Sequence, residues 1–193
     1  MLVDMLFSIV FSILGGTNRI RWNRNNSILK KWIERTEIVA TLIEPNCSVL
    51  EFGAGNMLLR ELLPKGCNYT ASDIVSRGEG TIVCDLNAKI LPDLEFYDVI
   101  VFIGVLEYIN DVNRVISYIS KYCNNIIISY SMIEEKRIIE IIKRRIKGWV
   151  NDLSYKQIIE IFDNNKFVIK KIESWGNQKI LMFNRKDNYD DSY

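Results

Sequence analysis

Val49-Leu50-Glu51-Phe52-Gly53-Ala54-Gly55-Asn56 reads as a short buried strand that ends in an acid, turns through two glycines and opens a helix. Glycines at such a turn let the backbone take conformations closed to other residues and come close to a ligand. The next short strand, Asn68 to Ser72, is followed by Asp73, 22 residues after Glu51. That is close to the ~20-residue spacing at which an acid meets the hydroxyls of a bound ribose. A carboxylate can accept from both hydroxyls together. Ligands of doubly wound sheets lie at the carboxyl ends of the strands, where the strand order reverses.

Outward from this stretch, strand and helix patterns alternate. Before it, Ser27 to Leu42 is an amphipathic helix with Ile28, Trp32, Ile33, Ile38 and Leu42 on its apolar side, closed by Pro45-Asn46. After it come a helix at Met57 to Leu63 and a short strand at Thr81 to Val83. Tyr97 to Ile103 and Asn125 to Tyr130 are almost continuously β-branched and aromatic, as strands buried on both faces are. Helices are expected at Val112 to Tyr122, Glu134 to Lys147 and Tyr155 to Phe162. Phe167 to Ile172 and Lys179 to Phe183 form two closing strands, antiparallel if Glu173 to Gln178 is a hairpin link. This alternation predicts an α/β fold with a largely parallel sheet and helices on both faces.

The organisation expected is an N-terminal apolar helix and basic linker over 1–30, one domain over 31–186, and a polar tail over 187–193. A chain of 193 residues with 48% hydrophobic and 25% charged residues builds a core without staples. Met1 to Leu14 is almost wholly apolar but shorter than the ~20 residues a membrane span needs. Two readings stay open for it. It docks on the domain or a partner, or it lies on a membrane surface, helped by Arg19, Arg21, Arg24, Lys30 and Lys31.

The net charge of +1 gives no bulk attraction to nucleic acid. It is unevenly spread: residues 49–120 carry −5, residues 1–48 carry +2 and residues 121–193 carry +4. Solvated helix faces explain this, as would basic flanks that meet an anionic substrate or surface. With no histidine in the chain, Ser-His-Asp and Cys-His nucleophiles, histidine bases and His-bearing zinc sites are excluded. Cys47, Cys67, Cys84 and Cys123 form no C-x-x-C pair and read as free thiols in a reducing cytoplasm.

The glycine loop lacks the third glycine of the dinucleotide fingerprint, since Leu58 stands there, and no phosphate-loop motif is present. An acid beside the loop, Glu51, suits a cofactor whose reactive end is cationic. Together VLEFGAGN, the acid of ASDIV, CDLN and YDVIVFIGVLEYI resemble the class I S-adenosylmethionine-dependent methyltransferases, over roughly residues 30 to 185. The resemblance implies a Rossmann-like, doubly wound, mostly parallel seven-stranded sheet with an antiparallel closing hairpin. It implies S-adenosylmethionine as cofactor, S-adenosylhomocysteine as product, and no metal. By the same resemblance, Glu51, Gly53, Ala54 and Gly55 hold the methionine part and Asp73 the ribose. Ile74 packs on the adenine, Asp85 and Leu86 lie at its amino group, and Ile103 and Gly104 line the methyl side. The sequence departs from the family at Met57, where many members have a third glycine, and at Tyr108, where the frequent V-L-E-H-I run has histidine.

Methyl transfer from a sulfonium asks mainly for alignment and exclusion of water. A hydroxyl nucleophile also needs a base, and Glu107, Tyr108 and Asp111 are the candidates. The basic helix with Arg137, Lys143, Arg144, Arg145 and Lys147 could cap the pocket and meet an anionic group, or be an ordinary helix with a basic outer face. Trp149, Asn151 and Tyr155 suit a sugar or planar acceptor, or serve packing. The expected function is methylation of a small-molecule acceptor, an oxygen of a sugar, glycan or related metabolite in first place. The alternatives are a nucleic-acid methyltransferase and a non-catalytic cofactor-binding partner. Absence of an N/D-P-P-Y/F motif and of a nucleic-acid module argues against the first of these. The expected location is the cytoplasm, with peripheral contact at the inner membrane surface through residues 1–14.

Overall fold

The computed structural model describes residues 31–134 and 138–186. The N-terminal apolar segment, its basic linker, Arg137 and the polar tail lie outside the described residues. Seven strands form one sheet: β1 (Ser48–Phe52), β2 (Asn68–Asp73), β3 (Ile82–Val83), β4 (Tyr97–Ile103), β5 (Cys123–Tyr130), β6 (Phe167–Trp175) and β7 (Gln178–Arg185). Their order is β3-β2-β1-β4-β5-β7-β6. The first five are parallel, and β7 runs antiparallel to both β5 and β6. The order reverses between β1 and β4, so these two strands open the crevice where a ligand can sit.

The helices are α1 (Lys31–Ala40), α2 (Leu58–Leu62), α3 (Val112–Ile119), α4 (Ile138–Ile146) and α5 (Tyr155–Asn164). Strand alternation sends side chains to opposite faces. Leu50, Phe52, Ile100, Phe102, Ile126 and Ile128 face one way and pack under α3 and α5, through Val115, Ile116, Ile119, Ile158 and Phe162. Val49, Val99, Val101 and Ile127 face the other way, against Val39 and Ala40 of α1 and Leu59 of α2. Both faces are therefore covered, which is why β4 and β5 carry the apolar stretches Val99 to Ile103 and Ile126 to Ile128.

Three details differ from the sequence expectation. The closing strands are longer, because the turn is only Gly176-Asn177, with Gly176 at φ 55. A glycine in the first central position is what a two-residue hairpin turn of this kind takes. The helix expected over Glu134 to Lys147 is described only as α4, Ile138–Ile146. Helix α1 buries Arg35, Thr36 and Val39, while Ile33, expected on the apolar side, is exposed. All four cysteines are free, with Cys84 and Cys123 buried.

Candidate cofactor and active site

The carboxyl ends of β1, β2 and β4 open into a cleft of about 610 Å³. That is within the ~300–1,000 Å³ usual for small-molecule sites. The loop after β1 is shaped by backbone sign. Gly53 (φ 70) and Gly55 (φ 55) are both left-handed. A Cβ on Gly53 would lie 2.4 Å from Val105 Cγ2, so this glycine also admits the turn after β4. Met57 has φ 59, the same left-handed region, and stands as the residue before α2. The fold keeps the third turn of the loop even though the sequence fills it with methionine.

Glu51 ends β1 almost fully buried, and its Oε2 accepts from the Tyr69 hydroxyl at 2.5 Å. Burial pushes its carboxyl up to about 8, against the opposing pull of the Tyr69 hydrogen bond. Asp73 ends β2, and its Oδ2 accepts from Gly55 N–H at 2.9 Å and from Arg77 Nε at 3.0 Å. Asp85 stands after β3 and accepts from Asn87 N–H at 3.0 Å. Ala54, Ile74, Leu86, Ile103 and Gly104 complete the wall, so all ten residues expected to hold the cofactor line one cleft.

Sequence reading missed Arg35. It projects from α1 into the cleft and is only 8% exposed. Its Nη1 donates to Gln178 Oε1 at 2.9 Å, while its buried Nε has no partner. The guanidinium stands over the rings of Trp32 (5.7 Å) and Trp175 (5.4 Å). Desolvation lowers its pKa, opposed by the fields of Glu107, Tyr108 and Glu51. Gly104 (φ 68) leaves it room, since a Cβ there would lie 2.7 Å from Nη1. The available signal was an arginine on the buried side of α1, in step with Thr36 and Val39. Gln178 gave no such signal, because the hairpin delivers it from far along the chain.

A family model described as a methyltransferase domain matches residues 22–165. The chain belongs to the methyltransferase domain family. No match was found among curated proteins. Among solved structures, this methyltransferase-domain chain is similar to magnesium protoporphyrin IX methyltransferase from Synechocystis with bound S-adenosylhomocysteine. The TM-score is 0.65 at 17% identity, covering 95% of this chain and 100% of that one. It is also similar to the 1,6-didemethyltoxoflavin-N1-methyltransferase of Burkholderia thailandensis, with TM-score 0.63 at 13% identity and coverage of 88% and 82%. A third is a putative O-methyltransferase from Nostoc punctiforme, with TM-score 0.70 at 11% identity and coverage of 95% and 68%. At these identities the likeness is one of fold.

Within the methyltransferase domain the three base candidates separate. Asp111 is exposed at the start of α3, where its side chain caps Arg114 N–H at 2.9 Å, and it does not line the cleft. Glu107 has no exposed surface. Its Oε1 accepts from Ser131 N–H at 3.0 Å, its Oε2 is unpartnered, and burial raises its pKa. Glu107 lines the cleft, but its carboxyl is sealed from water in this structure. Tyr108 remains on the cleft, partly exposed.

The far lip is corrected more strongly. Arg144, read from sequence as free to meet an anion, is buried. It bonds Asp152 Oδ1 at 2.8 Å, Ser131 O at 2.7 Å and the Tyr130 hydroxyl at 3.0 Å. Arg145 joins Asp152 as well. Asn151 is also structural: its Nδ2 donates to Leu106 O at 2.6 Å and Ile109 O at 2.7 Å. Tyr155 is exposed on α5, away from the cleft lining. Trp149 alone of the three lines the cleft. Among the described residues no cluster of Cys, Asp and Glu could hold a metal.

Proposed function

We propose that the protein is an S-adenosylmethionine-dependent methyltransferase that acts on a small-molecule acceptor. One observation carries the reading. A buried acid, Glu51, and a buried cation, Arg35, line the same cleft as Asp73. An amino acid head needs an acid for its ammonium and a base for its carboxylate, and a ribose needs an acceptor for its hydroxyls. Arg35 fits the carboxylate through the guanidinium that lines the cleft, and Glu51 fits the ammonium. Asp73 fits the ribose, with Ile74 and Leu86 as apolar faces for the base and Asp85 at its amino edge.

When bound, the cofactor supplies a methyl group on a sulfonium. The protein's part is to hold the acceptor in line with it and to exclude water, which can supply up to ~7–11 kcal/mol of the barrier. Ile103 and Gly104 wall the methyl side. Trp32, Tyr108 and Trp149 present ring surfaces around the remaining space. These rings suit a sugar ring or a planar metabolite, and Tyr108 is the hydroxyl nearest in sequence to the reacting end. We favour an oxygen of a sugar, glycan or related metabolite as the acceptor atom.

The test is calorimetry with S-adenosylmethionine and S-adenosylhomocysteine, with NAD as control, on wild type and Asp73→Ala. Micromolar binding of the sulfur cofactors that the variant loses supports the reading. Absence of binding by both, from a folded protein, overturns it.

A further inference from the structure

Helix α4 is built inside out. Its one fully buried side chain is Arg144. Four of its five isoleucines face solvent: Ile138 is 77% exposed, Ile139 58%, Ile142 49% and Ile146 37%, while Ile141 is half-buried. At about 100° per residue these four lie within one arc of about 100°. The exposed Lys143 and Lys147 follow on one side of the arc and Arg145 on the other, with Glu140 the single acid of the helix. The orientation is locked, not accidental. Arg144 is stitched to Asp152, Ser131 and Tyr130, and reversing the helix would tear a buried cation from its partners.

We propose that this face is a membrane-docking surface that seats in the headgroup layer of an anionic lipid bilayer. An apolar arc bordered by cations is what such a surface recognises: isoleucine enters the acyl boundary and lysine meets lipid phosphate. A second copy of the chain fits less well. Four side chains fall far short of the ~20–30 residues a stable protein interface uses on each side, and a symmetric contact would oppose the lysines of two copies. The sequence supplies a companion element. The apolar Met1 to Leu14, followed by Arg19, Arg21, Arg24 and Lys30, joins the described chain at Lys31. The next residue, Trp32, lines the same cleft as Trp149, whose N–H bonds Arg144 O at the end of α4. Helix α4 therefore ends beside the mouth of the cleft, and docking through it brings that mouth to the lipid.

The experiment is co-sedimentation of the full chain with vesicles of phosphatidylcholine alone or with 30–40% (about) phosphatidylglycerol. Expected is binding to the anionic vesicles only, falling as salt rises. Ile139→Glu/Ile142→Glu should abolish it, and Lys143→Glu and Lys147→Glu should each weaken it about fivefold or more. These positions do not line the cleft, so unchanged cofactor binding and melting temperature show that the variants fold. Three results overturn the proposal. One is no binding to anionic vesicles. Another is binding that the α4 variants leave unchanged, which assigns it to residues 1–30 alone. The last is self-association in sedimentation that Ile142→Glu removes, which assigns the face to a second copy.

Discussion

The backbone N–H of Gly55 donates to Asp73 Oδ2 at 2.9 Å, tying the loop after β1 to the end of β2. The glycine loop and Asp73, the acid proposed for the ribose, are thus tied into one unit. Arg77 holds the same oxygen, leaving Oδ1 as the freer acceptor, with Arg77 Nη2 at 3.4 Å. Asp73→Asn keeps an acceptor for Gly55 but loses the charge. A hydrogen bond to a charged group is worth about 1.5–3 kcal/mol, so S-adenosylmethionine should bind roughly 10- to 100-fold more weakly. Asp73→Ala should lose more, since the loop tie also goes. Titration calorimetry of both variants checks the order.

Met57 sits at φ 59 and ψ 31, where a side chain costs roughly 1–2 kcal/mol that glycine avoids. Part of this gain is lost to glycine's greater freedom when unfolded. Met57→Gly should therefore raise stability by about 0.5–1 kcal/mol, or a few degrees in Tm. Thermal unfolding measures it. A fall in Tm would mean that the Met57 side chain packs better than its backbone suffers.

Glu51 gives a pH signature. Its carboxyl is raised from 4.5 to about 8 in the folded protein, so the folded state keeps a proton that the unfolded chain releases. Stability from this group should fall as pH rises from about 4.5 towards 8, and level off above. Glu107, raised by burial, adds a slope of the same sign. Binding an ammonium favours the ionised carboxylate. Cofactor binding should then release a proton below pH 8 and tighten as pH rises from 6 to 8. Calorimetry in buffers of different ionisation enthalpy counts that proton, and Glu51→Gln should abolish its release.

Arg35 is tested by removing its proposed partner from the ligand. Decarboxylated S-adenosylmethionine should bind wild type about 10-fold or more weakly than the intact cofactor, the scale of a charge-assisted pair. Arg35→Gln should bind the two alike. If the variant still discriminates between them, the carboxylate is held elsewhere.

The legible part of this protein was what local pattern encodes. β4 and β5 carry unbroken apolar stretches, Val99 to Ile103 and Ile126 to Ile128, because both their faces are covered. Asp111 and Glu107 were legible as acids but not as positions. Only the fold shows that one caps α3 and the other is sealed from water at the cleft lining. Arg144 misled because an amphipathic helix normally turns its charges outward. Here Asp152 and the carbonyls of Asn151 and Ser131, 7 and 13 residues away, reverse that rule. Arg35 and Gln178 meet across 143 residues, a distance that helical or strand periodicity does not span.

Asn151 has a mechanical consequence. Its amide grips Leu106 and Ile109, Val150 N–H bonds Glu107 O at 2.8 Å, and the Tyr130 hydroxyl closes the knot on Asn151 Oδ1. One jaw of the cleft is therefore bolted to the sheet. The other, the first turns of α1, is held beside the cleft by Arg35–Gln178 and by Trp175 Nε1 donating to Glu34. The two jaws are thus unequally tethered: these bonds fix the Asn151 jaw to main-chain carbonyls and the α1 jaw to side chains of the closing hairpin.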